Sequence, residues 1–292
     1  MTDRWSTARS RDLGKELVRV RKAKGFSGGD MARKLGWERS RVSRVELGEH
    51  GVEERDLVAW LTVCDVPREG LHRWTDLNRE ATQRIWFQPK DAASTETPRT
   101  LVSEESKAKT INNYELAVIP GLLQTADYTA AIAALFKAPD TAAVVAHRAA
   151  RQQVLSGPSA PEVNFFIDEL ALRRIVGSRA IMHDQMMRLM FMSEWTKITI
   201  RILMSASDAH TGLHGAFMHI ARRDKLKVVF LDTKVAGVFV ETPAHVKDYE
   251  DVLTELGRLA LSAEESRSFI AALADEYGRQ EDWHDALAEE QP

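Results

Sequence analysis

Cysteine is almost missing from this chain: Cys64 stands alone among 292 residues. One thiol excludes an intramolecular disulfide and any cysteine-rich metal site, and a reducing interior is the natural setting for such a sequence. Long apolar runs are missing too. The stretch Ala130 to Phe136 is among the longest, far short of the roughly 20 residues a membrane span requires. Met1 to Trp5 leads into polar residues rather than into the apolar core of a secretory leader. The expectation is a cytoplasmic protein with no membrane partner. Glycine-rich phosphate loops, dinucleotide fingerprints, the serine elbow and His-Glu-x-x-His do not occur, and no internal repeat is present. Neither sign of charge dominates: 40 Lys and Arg against 43 Asp and Glu leave −3. That balance excludes a chain that coats nucleic acid or anionic membrane along its whole length.

What is present is enough for two ordinary folded bodies. At about 150 residues per domain the length predicts two. With 44% hydrophobic and 28% charged residues, both can bury cores without disulfide or metal staples. The charge is unevenly spread. Residues 1–50 hold 13 Lys and Arg against 7 Asp and Glu, a surplus of +6, while the remaining 242 hold 27 against 36, a deficit of −9.

The basic end is also the most helical in pattern. From Asp12 to about Lys24, Leu13, Leu17 and Val20 form one apolar stripe, and Gly25 stops it. Ser27 is an N-cap for a second helix ending at Leu35, with Met31, Ala32 and Leu35 inward. A third runs from about Glu38 to Leu47 with Val42 and Val45 inward, and Gly48 ends it. Leu57, Leu61 and Cys64 mark a fourth. Pro67 opens a fifth, carrying Leu71, Trp74 and Leu77. Ala32, Gly36, Val42 and Val45 fall at offsets 0, 4, 10 and 13. Two short helices crossing steeply need a small residue where backbones approach, a turn residue comfortable at positive φ, and two apolar residues on the inner face of the second helix. That set is a helix-turn-helix scaffold.

The second helix of that pair exposes Glu38, Arg39, Ser40, Arg41, Ser43 and Arg44. Arginine forks match the acceptors of guanine in the major groove, and hydroxyls serve several bases. Arg39, Ser40, Ser43 and Arg44 are therefore the candidate base-reading residues. Ser27, Gly28, Arg21, Lys22 and Arg41 are the candidates for phosphate contacts. Glu46 would repel phosphate and is expected to fix a neighbouring basic side chain. The competing interpretation is a small helical bundle with a solvated basic face; the scaffold spacing, the third-helix arginines and the local charge argue against it.

Residues 81–100, with Pro89, Pro98 and a polar run, are expected to be a linker, in which Trp86 and Phe87 either dock on the second domain, the favoured reading, or anchor a partner. Beyond it, Val163–Ile167, Ile198–Leu203, Phe217–Ile220, Val228–Leu231 and Val238–Val240 have strand character. Helical patterns lie near 126–136, 141–155, 180–195 and 244–260. Ser262 and Glu265 form a capping box before another helix. The expected organisation is an all-α domain at 1–80, a linker at 81–100, an α+β regulatory and dimerisation domain at 101–277 and an acidic tail at 278–292. Gln124 or Thr125 could cap a helix or bind an anion, with capping favoured. Asp168-Glu169 reads as a cap and salt bridge rather than an acid/base pair. Asp208, His210 and His214, with His219 nearby, are the candidates for a metal site, set against a polar surface loop. The stripe Val246, Tyr249, Val252, Leu253, Leu256 fits a dimer interface or a core helix equally.

Ser27-Gly-Gly-Asp-Met-Ala-Arg-Lys-Leu-Gly-Trp through Arg41-Val-Ser-Arg-Val-Glu-Leu-Gly resembles the Cro/repressor-type, or XRE-type, DNA-binding domain, over about residues 11–80. The resemblance implies a lambda-repressor-like five-helix fold and places Arg39, Ser40 and Arg44 at base-reading positions. One departure is Gly28, where the family usually has Gln, so that contact with DNA is absent or made by backbone alone. Tyr114-Glu115, Ile119-Pro-Gly-Leu-Leu-Gln-Thr125, Arg151-Gln152, Phe166-Ile-Asp-Glu-Leu-Ala-Leu-Arg-Arg174 and Leu261-Ser-Ala-Glu-Glu-Ser266 are similar to signatures of the WhiJ-like regulators of actinobacteria. This second resemblance spans most of residues 104–275. It implies an antitoxin-like transcriptional regulator, often acting with a small partner protein encoded nearby, and no catalytic residue.

The expectation is thus a non-enzymatic repressor that binds a double-stranded operator without a cofactor. It would act as a homodimer held by residues 101–275, because one such module buries modest surface. Two rivals are a ligand- or metal-sensing regulator and a metal-dependent hydrolase using the Asp208, His210 and His214 region.

Overall fold

The computed structural model describes residues 6–81, 83–89 and 99–289. Met1 to Trp5, residues 82 and 90–98 of the expected linker and residues 290–292 of the expected tail lie outside the described residues. By contacts the chain forms two units: residues 1–87 together with 239–242, and residues 88–238 together with 243–292.

The first unit is built on five helices, α1 (Ala8–Ala23), α2 (Gly28–Leu35), α3 (Arg39–Glu46), α4 (Glu54–Val63) and α5 (Leu71–Glu80). Their apolar stripes meet in one core containing Leu13, Leu17, Met31, Val42, Val45, Leu57, Trp60, Leu61, Cys64 and Trp74. Helix α1 starts four residues earlier than its apolar stripe suggests. Thr7 and Ser10 form a capping box, each hydroxyl accepting the other's backbone N–H at 2.9 Å. Glu241 adds a carboxylate to that end, accepting from the Ala8 N–H at 2.7 Å and pairing with Arg11 at 3.1 Å, as the positive end of a helix favours. Two glycines let α1 approach the end of α3. A Cβ on Gly14 would stand 2.4 Å from the Glu46 carbonyl oxygen, and one on Gly48, at φ +68°, would stand 2.4 Å from the Arg11 nitrogen. Strand β1 (Ile85–Pro89) forms inside the stretch expected as linker. Its Trp86 is fully buried and stacks on Phe239 at 4.3 Å with planes 3° apart, within the first unit, whereas Phe87 is exposed.

The second unit contains α6 (Arg99–Ser106), β2 (Ala108–Glu115), α7 (Ala126–Leu135), α8 (Thr141–Gln152), β3 (Glu162–Asp168), α9 (Glu169–Arg173), α10 (Arg179–Ser193) and β4 (Ile198–Leu203). These are followed by β5 (Phe217–Arg222), β6 (Lys227–Asp232), α11 (Pro243–Leu259) and α12 (Ala263–Glu289), while β7 (Ala236–Val240) is divided between the two units after Val238. Within this unit the strands run in the order β6-β5-β2-β3-β4. Strands β2, β3 and β4 are parallel, and β5 and β6 continue antiparallel from β2. The sheet is therefore mixed, and the architecture is a helical helix-turn-helix region followed by an α+β domain. Helices α7 and α8 carry the chain from β2 to β3, and α10 from β3 to β4, as parallel neighbours require.

Strand β2, between β5 and β3, has no strand character in its sequence, because Ala-Lys-Thr-Ile-Asn-Asn-Tyr-Glu is too polar. Its asparagines are held by cross-strand partners. Asn164 donates to Asn112 at 2.9 Å, Asn112 lies 3.3 Å from the His219 ring, and Asn113 donates to the Phe217 carbonyl at 3.2 Å. The α11 stripe turns inward: Val246 and Leu256 are buried, and Tyr249 packs 4.8 Å from the Phe217 ring. Val252 and Leu253 of the same stripe are half-buried. Among the described residues no helix is long and apolar enough to cross a membrane.

Candidate nucleic-acid interface

The α2–turn–α3 unit is locally determined. Ser27 caps α2, its hydroxyl accepting from the Asp30 N–H at 3.1 Å while Asp30 accepts from the Ser27 N–H at 2.9 Å. The Ser27 hydroxyl, donating to the carboxylate at 2.6 Å, then the Ser27 N–H and Arg33, hold the Asp30 carboxyl down to about 2. Gly36 closes α2 in the left-handed region at φ +66°, and Trp37 N–H returns to the Ala32 carbonyl at 2.8 Å. Ala32, Val42 and Val45 are all buried. The four scaffold residues thus occupy the small, turn and inner-face roles their spacing assigns.

On the outer side of α3, Arg39, Ser40 and Ser43 are exposed, and Arg44 is half-buried with its Nε enclosed and unpartnered. Arg39 lies back over the first turn of α2, with its Nη2 2.6 Å from where a Cβ on Gly29 would stand. The missing side chain at Gly29 therefore leaves room for a guanidinium beside the α2 N-terminus, next to Gly28. Ser40 donates to the Glu38 carboxylate at 3.2 Å. Leu47, at the end of α3, is 57% exposed, and an apolar side chain there can meet a thymine methyl.

The phosphate candidates divide. Lys22 is exposed. Gly28 presents an N–H at the first turn of α2, but the Ser27 hydroxyl is already engaged, donating to Asp30 at 2.6 Å. Arg41 stacks over the Trp37 ring at 3.9 Å and pairs with Asp56, which fixes it toward α4. Arg21 must be withdrawn from the interface. It is 7% exposed, pairs with Glu46 through Nε at 2.5 Å and Nη2 at 3.0 Å, and donates to the Phe26 carbonyl at 2.6 Å. Glu46 does fix a basic side chain, and the one it fixes is Arg21. Helix phase carried a signal for this, since Arg21 follows Leu17 by four residues on the inward face of α1 and Lys22 does not; its partner on α3 is what the sequence does not show.

In the second unit, Asp208, His210 and His214 do not converge. Asp208 is exposed, His210 lies edge-on to Tyr114 at 5.9 Å, and His214 faces the Thr211 carbonyl at 3.0 Å. His210 and His214 line an open cleft of about 470 Å³ with Thr211 and Glu255, and Asp208 does not border it. His219 is buried on β5, where burial pushes its imidazole down, 3.3 Å from Glu250. Among the described residues no three His, Cys, Asp or Glu side chains stand together as a metal site needs. Asp168 caps α9, accepting from the Leu170 N–H at 2.8 Å, and Glu169 pairs with Arg173 at 2.6 Å. Thr125 caps α7, and Gln124 donates to the Ile119 carbonyl at 2.8 Å.

Residues 12–74 match a helix-turn-helix domain, and residues 98–272 match a domain of unknown function, DUF5753. No curated protein matches the chain. Among solved structures, the chain is similar to TrmBL2, described as an archaeal chromatin protein with a novel mode of DNA binding. That alignment has 12% identity, covers 88% of this chain and 100% of that one, and has a TM-score of 0.28, too low to carry any argument here. The match over residues 98–272 does carry one: the chain belongs to the DUF5753 family, with a helix-turn-helix domain preceding the family domain.

Proposed function

We propose that the chain is a sequence-specific, DNA-binding transcriptional regulator of the XRE type, WhiJ-like and antitoxin-like, acting as a repressor. Helix α3 enters the major groove with Arg39, Ser40, Ser43 and Arg44 toward the bases. Lys22 and the Gly28 N–H contact phosphate. A homodimer held through the second unit presents two such helices to half-sites roughly 34 Å apart, and a small partner protein acting on that unit sets occupancy. The observation that carries this reading is the outer face of α3: exposed Arg39, Ser40 and Ser43 beside half-buried Arg44, on a helix-turn-helix whose inner face is closed by Val42 and Val45.

The test is fluorescence anisotropy on duplexes from the chain's own promoter region. Arg44→Ala should cost about 1–3 kcal/mol and relax preference at one base, whereas Lys22→Ala should weaken all duplexes alike and reduce the salt slope by about 1. Binding indifferent to both substitutions would overturn the proposal.

A further inference from the structure

The turn that follows β2 is held from several sides. Gln152 on α8 donates to the carbonyls of Gly121 at 3.1 Å and Gln124 at 2.8 Å. Gln185 on α10 donates to the Leu123 carbonyl at 2.9 Å and accepts the Thr125 N–H at 2.8 Å. The Tyr128 hydroxyl accepts from the Ile119 N–H at 3.2 Å. The turn also stands at the carboxyl end of a parallel strand, where α/β sheets commonly hold ligands.

Two arginines one helical turn apart on α8 face this turn, and they are treated differently. Arg151 is neutralised by Glu105, itself 1% exposed, through Nε at 2.8 Å and Nη2 at 2.6 Å. Arg148 has no such carboxylate. Its Nη1 lies 1.8 Å from where a Cβ on Gly121 would stand, so only the absence of a side chain there admits the guanidinium. It is half-buried and makes no hydrogen bond or ion pair among the described residues. Burial, and then the neighbouring Arg151, hold it down to about 10. Its donors, half-buried and without a protein acceptor, are available to an anion that reaches them. Glu115, the last residue of β2, faces the same groups. Its carboxylate accepts one long contact from Asn113 at 3.4 Å and feels the fields of Asp232, Arg151 and Arg148.

We propose that Arg148, Gly121 and Glu115 form a binding site for a small ligand bearing a carboxylate or phosphate group. The anion is received by Arg148 over Gly121, and a donor on the same ligand faces Glu115. The turn's bonds to Gln152, Gln185 and Tyr128 hold Gly121 in place beneath the guanidinium. This site lies within the second unit and does not depend on the DNA-binding proposal.

The test is titration calorimetry on the full chain with inorganic phosphate and, separately, with acetate, at ionic strength fixed by chloride. One of the two should saturate, and which one distinguishes a phosphate ligand from a carboxylate. Losing a charge-assisted bond to an enclosed group costs at least tenfold in affinity, so Arg148→Gln should bind the saturating probe at least tenfold more weakly. Gly121→Ala, which displaces the guanidinium without removing it, should do the same. Should either variant unfold, amide chemical shifts of the wild-type chain replace it, with changes expected in residues 115–125 and 148–152. Absence of saturation by both probes well above about 1 mM, a weak-site affinity, would overturn the proposal. So would shifts confined elsewhere, or unchanged affinity in folded Arg148→Gln.

Discussion

Replacing Arg21 by methionine separates a structural arginine from a DNA-contacting one. In the folded chain its guanidinium spends three nitrogens inside the protein, on both Glu46 oxygens and on the Phe26 carbonyl, and the paired side chains are only 9% and 15% exposed. Methionine keeps the length of the stem but leaves the Glu46 carboxylate enclosed without its cation. Breaking such a pair from one side costs about 3–5 kcal/mol. For a domain of 60–100 residues each 1 kcal/mol moves the midpoint by about 4–8 °C, so the first unit should melt roughly 12 °C or more below wild type. Because two units can unfold separately, scanning calorimetry of the full chain should be paired with hydrogen exchange, which should place the loss in α1 and α3. Adding Glu46→Gln should restore part of it, since no buried charge is then stranded. An Arg21→Met chain that melts like wild type yet binds every duplex more weakly would refute the reasoning and return Arg21 to the phosphate contacts.

Three further outcomes follow from the packing and the ionisation. Gly14→Ala should destabilise the first unit by about 1–3 kcal/mol, because the new Cβ meets backbone at Glu46 rather than a side chain that can move; denaturant titration with unchanged stability would contradict it. Glu241→Gln should cost about 1–3 kcal/mol and raise exchange at the first turn of α1, since that carboxylate serves both the Ala8 N–H and Arg11. Burial, and then Asp232, push the Glu115 carboxyl from its ordinary 4.5 up to about 7, against Arg151, Arg148 and Asn113. The folded state thus holds this proton more tightly than the unfolded chain, so the associated stability is present below about pH 4.5 and is lost as pH rises through about 7. Glu115→Gln should therefore match wild type near pH 4.5 and melt above it near pH 8; the reverse order would contradict the assignment.

The helix-turn-helix was legible because its determinants are local. Ser27, Gly36, Val42 and Val45 each act within a few residues of where they stand, so period and capping chemistry suffice. What escaped was set by distant partners. The first turn of α1 is secured by Glu241, far along the chain, and Arg21 is turned inward by Glu46 on another helix. Strand β2 contradicts its own composition because Asn112 and Asn113 are satisfied across β3 and β5, a tertiary override of strand preference. Trp86 looked like a linker aromatic, although its stacking on Phe239 makes it core. Asp208, His210 and His214 are dense in sequence, but sequence density does not bring side chains together on an irregular segment.

Base reading by the outer face of α3 can be tested on the operator itself. The most direct measurement selects bound duplexes from a random pool with the wild-type chain and with Arg39→Ala, then compares the two recovered sequence preferences. Arg39→Ala should recover the same site with information lost at one base position per half-site, at a cost of about 1–3 kcal/mol. Identical preferences from both pools, or no enrichment with the folded wild-type chain, would contradict it.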